Sequence, residues 1–228
     1  MASSVEPVPM NIGINHLIVH LSMAHFLDLL QRNAVYNFAA MRFEKDIEQC
    51  LGVLKSSGTI LYPTDTIWGI GCDATNIEAV EKIIALKQRS FQKSFVVLVA
   101  DERDILRYVA APDLAVFDYL DQTKKATTVI YENALGLAEN VLSDDGSVAI
   151  RICKDEFCKH LIKRFRRPIV STSANISGAP APASFKEINE SIIIGVDYVV
   201  KYRQNDVSKN VPSSIIKWEN GQVVVLRE

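Results

Sequence analysis

The side chains best able to act on a substrate are few, and they come in short runs. Lys87 and Arg89 stand two residues apart. Lysine offers a compact charge and arginine a planar fork, so the pair suits the oxygens of phosphates and carboxylates. Ser171-Thr172-Ser173-Ala174-Asn175, followed by Ser177-Gly178, is a run of small polar residues that leaves room for a ligand and supplies donors to it. Arg151 interrupts the apolar run Val148-Ala149-Ile150-Arg151-Ile152. A charge in such a run must face a polar partner or a cleft, because burying it unpaired is costly. Pro63-Thr64-Asp65-Thr66 has the same character, and Asp65 is open to three readings: a base, a metal ligand or, by default, the cap of a turn. Each feature also has a purely structural alternative. Cations at a helix end complement its last carbonyls, and a serine-rich run is an ordinary polar turn.

Other chemistries lack their signatures. There is no GxxxxGK[ST] phosphate loop and no GxGxxG fingerprint. There is no GxSxG nucleophile elbow. Of the 4 histidines, His16, His20 and His25 precede residue 41, at spacings that match no strong zinc motif. The remaining one, His160, falls midway along an expected helix and reads as an ordinary surface residue, which argues against imidazole acid–base chemistry. The 4 cysteines, Cys50, Cys72, Cys153 and Cys158, form no CxxC pair and read as buried, reduced thiols.

These residues need elements to position them. Phe43, Ile47, Cys50, Leu51 and Leu54 have helical spacing over 43–55, with Gly58 as a stop. A β-prone run, 59–62, leads into the polar, glycine-bearing segment 64–71. Thr75 to Glu78 reads as a capping box opening a helix that closes on Lys87-Gln88-Arg89. The nearly all-apolar run 94–99 is expected to be a central strand. Asp101 caps a short helix through Val109, Pro112 starts another, and Asp155 caps a third through Phe165. Strands are expected at 126–131, 147–152 and 168–171, and a helix at 185–193. Ser213–Trp218, an Asn220-Gly221 turn and Val223–Leu226 form a terminal hairpin. The mixture predicts an α/β fold with a mixed sheet.

Composition sets the class. The chain has 228 residues, 48% of them hydrophobic, and a formal charge of −2, which does not point to non-specific nucleic-acid binding. No run of 18 apolar residues occurs, so no membrane span is expected. Residues 1–40 lack a basic n-region and a cleavage site and read as an N-terminal extension, with residues 41–228 as the single folded domain. The expected location is the cytoplasm.

The polar runs also occur in a recognisable order. Tyr62-Pro63-Thr64-Asp65-Thr66-Ile67-Trp68-Gly69-Ile70-Gly71 resembles the PTxTxxGxG signature of the YrdC family. Lys87-Gln88-Arg89 resembles its KxR, Ser173-Ala174-Asn175 its SxN, and Ala149-Ile150-Arg151-Ile152 its AVRV-type strand. Pro212-Ser213-Ser214-Ile215-Ile216 is similar to its PSTVV, and Val225-Leu226-Arg227 to its final LRP. The resemblance covers about 43–228, and its specificity lies in the order and spacing of these motifs. It departs at three places. Ser90 stands where the family has proline, and Trp68 where tyrosine or phenylalanine is common. Lys124-Lys125-Ala126-Thr127 replaces PGPxT, keeping the threonine without the rigid turn.

The resemblance implies a YrdC-like single domain with a twisted mixed sheet flanked by helices, and threonylcarbamoyl-AMP synthase activity. Its substrates would be L-threonine, bicarbonate and ATP, its products threonylcarbamoyl-AMP and pyrophosphate. A downstream tRNA threonylcarbamoyl-transfer complex would use the product to modify the adenosine beside the anticodon. By the same resemblance Lys87 and Arg89 would be catalytic and bind ATP, with Thr127, Ser173, Asn175 and Arg227. Thr64, Arg151 and Ser213 would bind threonine, Arg151 through its carboxylate. Mg2+ would be held mainly by the ATP phosphates, with no dedicated protein metal site. Direct contact with tRNA or double-stranded RNA is a further expectation. A non-catalytic RNA-binding module of the same fold is the alternative, and the carbamoyl-transfer domain of hydrogenase maturation proteins a third reading.

Overall fold

The computed structural model describes residues 42–88, 95–206, 211–219 and 221–228. The expected extension at 1–40, its three histidines, Arg89 and Ser90 lie outside the described residues.

Helix α1 (Glu44–Lys55) buries Ile47, Cys50 and Leu54, the face that the spacing marked. Asp46 is buried on the same face, where its carboxylate accepts from the Tyr198 hydroxyl (2.6 Å) and the Tyr202 backbone N–H (2.9 Å). Strands β1 (Ile60–Tyr62) and β2 (Gly69–Gly71) follow, then α2 (Ile77–Lys87). The α2 cap differs from the expected Thr75–Glu78 box. Asn76 caps the helix by accepting from the Ala79 N–H at 3.0 Å. Thr75 is instead drawn to Asp73 Oδ1, which accepts from both its N–H and its hydroxyl.

Next come β3 (Val96–Val99), α3 (Glu102–Tyr108), α4 (Ala115–Gln122) and β4 (Thr127–Tyr131). β5 (Val148–Ile152), α5 (Glu156–Phe165) and β6 (Ile169–Ser173) complete the centre. Asp101 and Asp155 cap α3 and α5, as their positions predict. The expected helix at 185–193 is two pieces: a 3-10 turn at Phe185–Glu187 and α6 (Glu190–Gly195). Asn189 separates them, because its side chain accepts from the Ser191 N–H (2.8 Å) and starts a new helix there. The chain ends with β7 (Tyr198–Val199), β8 (Ser214–Glu219) and β9 (Gln222–Arg227).

The nine strands of the described residues form one mixed sheet in the order β7-β1-β2-β6-β3-β5-β4-β8-β9. β3 is central, in accord with its apolar run. It pairs parallel with β5 and antiparallel with β6. β4 and β8 are parallel, and β9 is the antiparallel edge. The glycine-bearing segment after Tyr62 is thus partly a strand: β2 pairs β1 at Tyr62↔Gly69 and β6 at Gly69↔Ser173. This pairing carries the polar end of β6 to the turn between β1 and β2.

Phe43 and Phe157 meet edge to face at 5.6 Å where α1 packs on α5. His160, expected at the surface, is half-buried and also packs against Phe43. All four cysteines are free and buried. Among the described residues no helix is long and apolar enough to cross a membrane.

Candidate active site

The turn after β1 is built by Thr64. Its hydroxyl donates to the Ile67 carbonyl (2.8 Å) and accepts from the Thr66 N–H (3.0 Å). Thr64 is therefore the residue that caps this turn, a role the sequence assigned by default to Asp65. The turn brings Trp68 and Gly69 against β6. A Cβ on Gly69 would stand 3.1 Å from Ser171 Oγ, so glycine permits the close approach. Trp68 rests on Phe185, with ring centroids 4.9 Å apart.

A cleft of about 290 Å³ opens where β6 ends, beside the start of β3 and of β8; Trp68, Arg151, Ser171, Ser173, Ser213 and Arg227 are among the residues that line it. Four of the sequence-predicted residues, Arg151, Ser173, Ser213 and Arg227, therefore share one site. Arg151 is 4% exposed, and its guanidinium lies 3.1 Å from Asp65 Oδ1. Its Nε is buried with no acceptor among the protein atoms. A buried, unsatisfied charged donor is costly. Ser213 shares a hydrogen bond with Thr128 (2.8 Å), and its carbonyl accepts from Arg227 Nη2 (2.8 Å). That contact ties β9 back to the start of β8.

Lys87 and Asn175 lie behind this rim. The Lys87 ammonium is buried and donates to the Ser173 carbonyl, to the Asn175 carbonyl (2.6 Å) and, more weakly, to Asn175 Oδ1 (3.5 Å). The Asn175 amide donates onward to Ile176 O (3.1 Å) and Ala179 O (2.6 Å). Lysine and asparagine together thus fix the loop after β6. Helix α2 presents Lys87 in its last turn, as the sequence implied.

Two predicted residues stand apart from the cleft lining. Thr127 turns its hydroxyl to the Lys125 carbonyl (3.1 Å), and the adjacent Thr128 reaches Ser213 instead. Lys154 Nζ donates to Thr123 O (2.6 Å), anchoring the segment that replaces the expected rigid turn. Thr64 borders a smaller neighbouring pocket that shares Ile67 and Trp68 with the cleft. Arg203, not singled out in the sequence, borders that pocket as well and pairs with Asp155 at 2.7 Å. Burial holds the Asp155 carboxyl above its usual range, opposed by the Cys158 N–H and by Arg203. Ser171, part of the polar run that the sequence marks, lies on the same face of β6 as Ser173 by period-two alternation. Arg203 carried no signal, because its role depends on a contact 48 residues away in sequence.

Comparison with known proteins agrees with this arrangement. The Sua5/YciO/YrdC family model, described as "Telomere recombination", matches residues 52–228. The threonylcarbamoyl-AMP synthase of Vibrio campbellii is 29% identical over 184 residues, covering 79% of this chain and 98% of that protein. The threonylcarbamoyl-AMP synthase of Psychromonas ingrahamii is 32% identical over 151 residues, covering 64% of this chain and 78% of that one. Among solved structures, P. abyssi Sua5 complexed with L-threonine superposes with a TM-score of 0.72 at 21% identity. The match covers 81% of this chain and 54% of that one, so this chain spans about half of that relative. E. coli YciO superposes with a TM-score of 0.67 at 20% identity, covering 81% of this chain and 89% of that one. At such identities the likeness is one of fold. The motif order, the nine-stranded mixed sheet and the family match over 52–228 agree, and the chain belongs to the Sua5/YciO/YrdC family.

Proposed function

We propose that this protein is a threonylcarbamoyl-AMP synthase acting on L-threonine, bicarbonate and ATP. One observation carries the reading furthest: a buried guanidinium, Arg151, lines the cleft with an unsatisfied Nε. A planar fork of this kind matches an amino-acid carboxylate. Ser213 lines the same cleft with a hydroxyl, and Thr64, whose own hydroxyl is spent within the turn after β1, shapes the neighbouring wall.

Threonine's amine takes up carbon dioxide from bicarbonate to give a carbamate. A carbamate oxygen then attacks the α-phosphorus of ATP; the new P–O bond forms as the bond to the β-phosphate bridging oxygen breaks. Pyrophosphate leaves with the bonding pair. This chemistry needs alignment and neutralisation of phosphate charge more than a protein base. Arg89 supplies a cation, Ser173 hydrogen-bonds the nucleotide and Arg227 reaches it from β9, while Lys87 and Asn175, whose side chains are spent on the loop after β6, hold that loop in place. Thr127 contributes through its backbone position, since its hydroxyl is turned to Lys125. Magnesium would enter with ATP, where it would neutralise phosphate charge. The product would pass to a tRNA threonylcarbamoyl-transfer complex in the cytoplasm.

The test is pyrophosphate release from ATP with bicarbonate, magnesium and each amino acid in turn. Release should require L-threonine and vanish in Lys87→Ala and Arg89→Ala. Serine, lacking a methyl worth ~1–3 kcal/mol, should be used roughly 10–200-fold less well. Folded protein that releases no threonine-dependent pyrophosphate, yet binds RNA with a steep salt dependence, would replace this reading with an RNA-binding module.

A further inference from the structure

Asp65 is the motif residue whose role the sequence left open. It is not the turn cap, which is Thr64. Its Oδ2 accepts from the Lys154 backbone N–H at 3.1 Å. Its Oδ1 lies 3.1 Å from Arg151 Nη2, with side chains 12% and 5% exposed. Oδ2 is therefore taken by a backbone donor, and Oδ1 is buried beside the guanidinium. The Oδ1 contact is an ion pair without the alignment of a hydrogen bond. Arg151 is consequently held at its Nη2 side, while its buried Nε has no hydrogen-bond partner.

Charge adds a second consequence. Arg151 alone would be a strong site for any anion, and phosphate would compete for it well. With Asp65 beside it, the pair carries little net charge. A single carboxylate still gains the fork geometry, whereas a phosphate brings further negative charge against Asp65 in a site of low dielectric. In a reaction that brings a triphosphate and an amino acid into one cleft, the arginine for the amino acid must be kept clear of phosphate.

We propose that Asp65 is a positioning residue that reserves Arg151 for the carboxylate of the amino acid and excludes phosphate oxygens from it. This rests on the synthase reading of the cleft. Specificity by a repulsive neighbour, rather than by added attraction, is a general device. The Lys154 N–H fixes Asp65, so the end of β5 supplies both the arginine and the clamp on its partner.

The experiment compares the full-length protein with Asp65→Asn, Asp65→Glu and Arg151→Lys. Nucleotide products are separated and quantified while threonine, ATP and added inorganic phosphate are varied; threonine binding is also measured by calorimetry. Asp65→Asn should raise the threonine KM about tenfold and leave kcat and the ATP KM within about threefold. Inorganic phosphate should become a competitor of threonine at concentrations the wild type tolerates. Asp65→Glu should restore most of the discrimination. An unchanged threonine KM and phosphate response in Asp65→Asn, with Arg151→Lys impaired for threonine, would overturn the role of Asp65 alone. Equal losses in every kinetic constant, not recovered by Asp65→Glu, would make Asp65 merely structural and overturn it too. If Arg151→Lys itself left threonine binding intact, the assignment of the amino-acid subsite would fall first.

Discussion

Replacing Lys87 with methionine separates two things that the ammonium does. Methionine keeps most of the length and apolar stem, so the core beneath is little disturbed. The change removes charge-assisted hydrogen bonds to the carbonyls of Ser173 and Asn175. Each is worth about 1.5–3 kcal/mol, and the two carbonyls lose their donor. Against that, methionine avoids the desolvation of a buried ammonium, which costs several kcal/mol. The balance is a net loss of about 2 kcal/mol, or a Tm lower by roughly 4–8 °C for a chain of this size. The assay pairs thermal unfolding by circular dichroism with pyrophosphate release, read at a temperature where both proteins are folded. Activity should fall well beyond what the unfolded fraction explains, because the loop that carries Asn175 loses its anchor. A Tm within a degree of wild type would refute the argument, since it would mean that the ammonium does not hold the end of β6 in the resting protein.

Two glycines give opposite expectations. A Cβ on Gly71 would stand 2.5 Å from Val170 O and 2.6 Å from Tyr62 Cε1, whereas one on Gly52 meets nothing within 4 Å. Gly71→Ala should therefore cost about 3 kcal/mol in denaturant unfolding, and Gly52→Ala, inside α1, should add about 0.5–1 kcal/mol; a reversal of that order would show the β2–β6 packing to be wrong. Burial pushes the thiols of Cys50, Cys72 and Cys158 well above their ordinary values. In the unfolded chain such thiols ionise near pH 9, while the native state keeps their protons, so stability falls as pH rises above that point. Each contributes about 1.4 kcal/mol per pH unit. Urea unfolding from pH 8 to 10.5 should show the decline, lessened in Cys72→Ala by about that amount, and an aromatic disulfide reagent at pH 8 should find the four cysteines unreactive until the protein is denatured.

Much of the architecture follows from local rules that operate within a few residues. The apolar spacing of 43–55, the aspartates before α3 and α5, and the unbroken apolar run of β3 each fix an element by neighbours close in sequence. The elements that local rules missed are those made by distant partners. β2 has only three residues, two of them glycine, and becomes a strand because β1 and β6 flank it. β7, two residues long, exists by pairing with β1. At the site, residue types and motif order single out the cations and hydroxyls as candidates. They could not say what each group already touches. Whether Lys87 faces a cleft or a carbonyl, whether Thr127 or Thr128 reaches Ser213, and which oxygen of Asp65 is left over depend on contacts 86, 85 and 89 residues apart in sequence. Hydrogen bonds are short-ranged and directional, so only the packed sheet decides which of these groups are spent on the protein and which remain for a ligand.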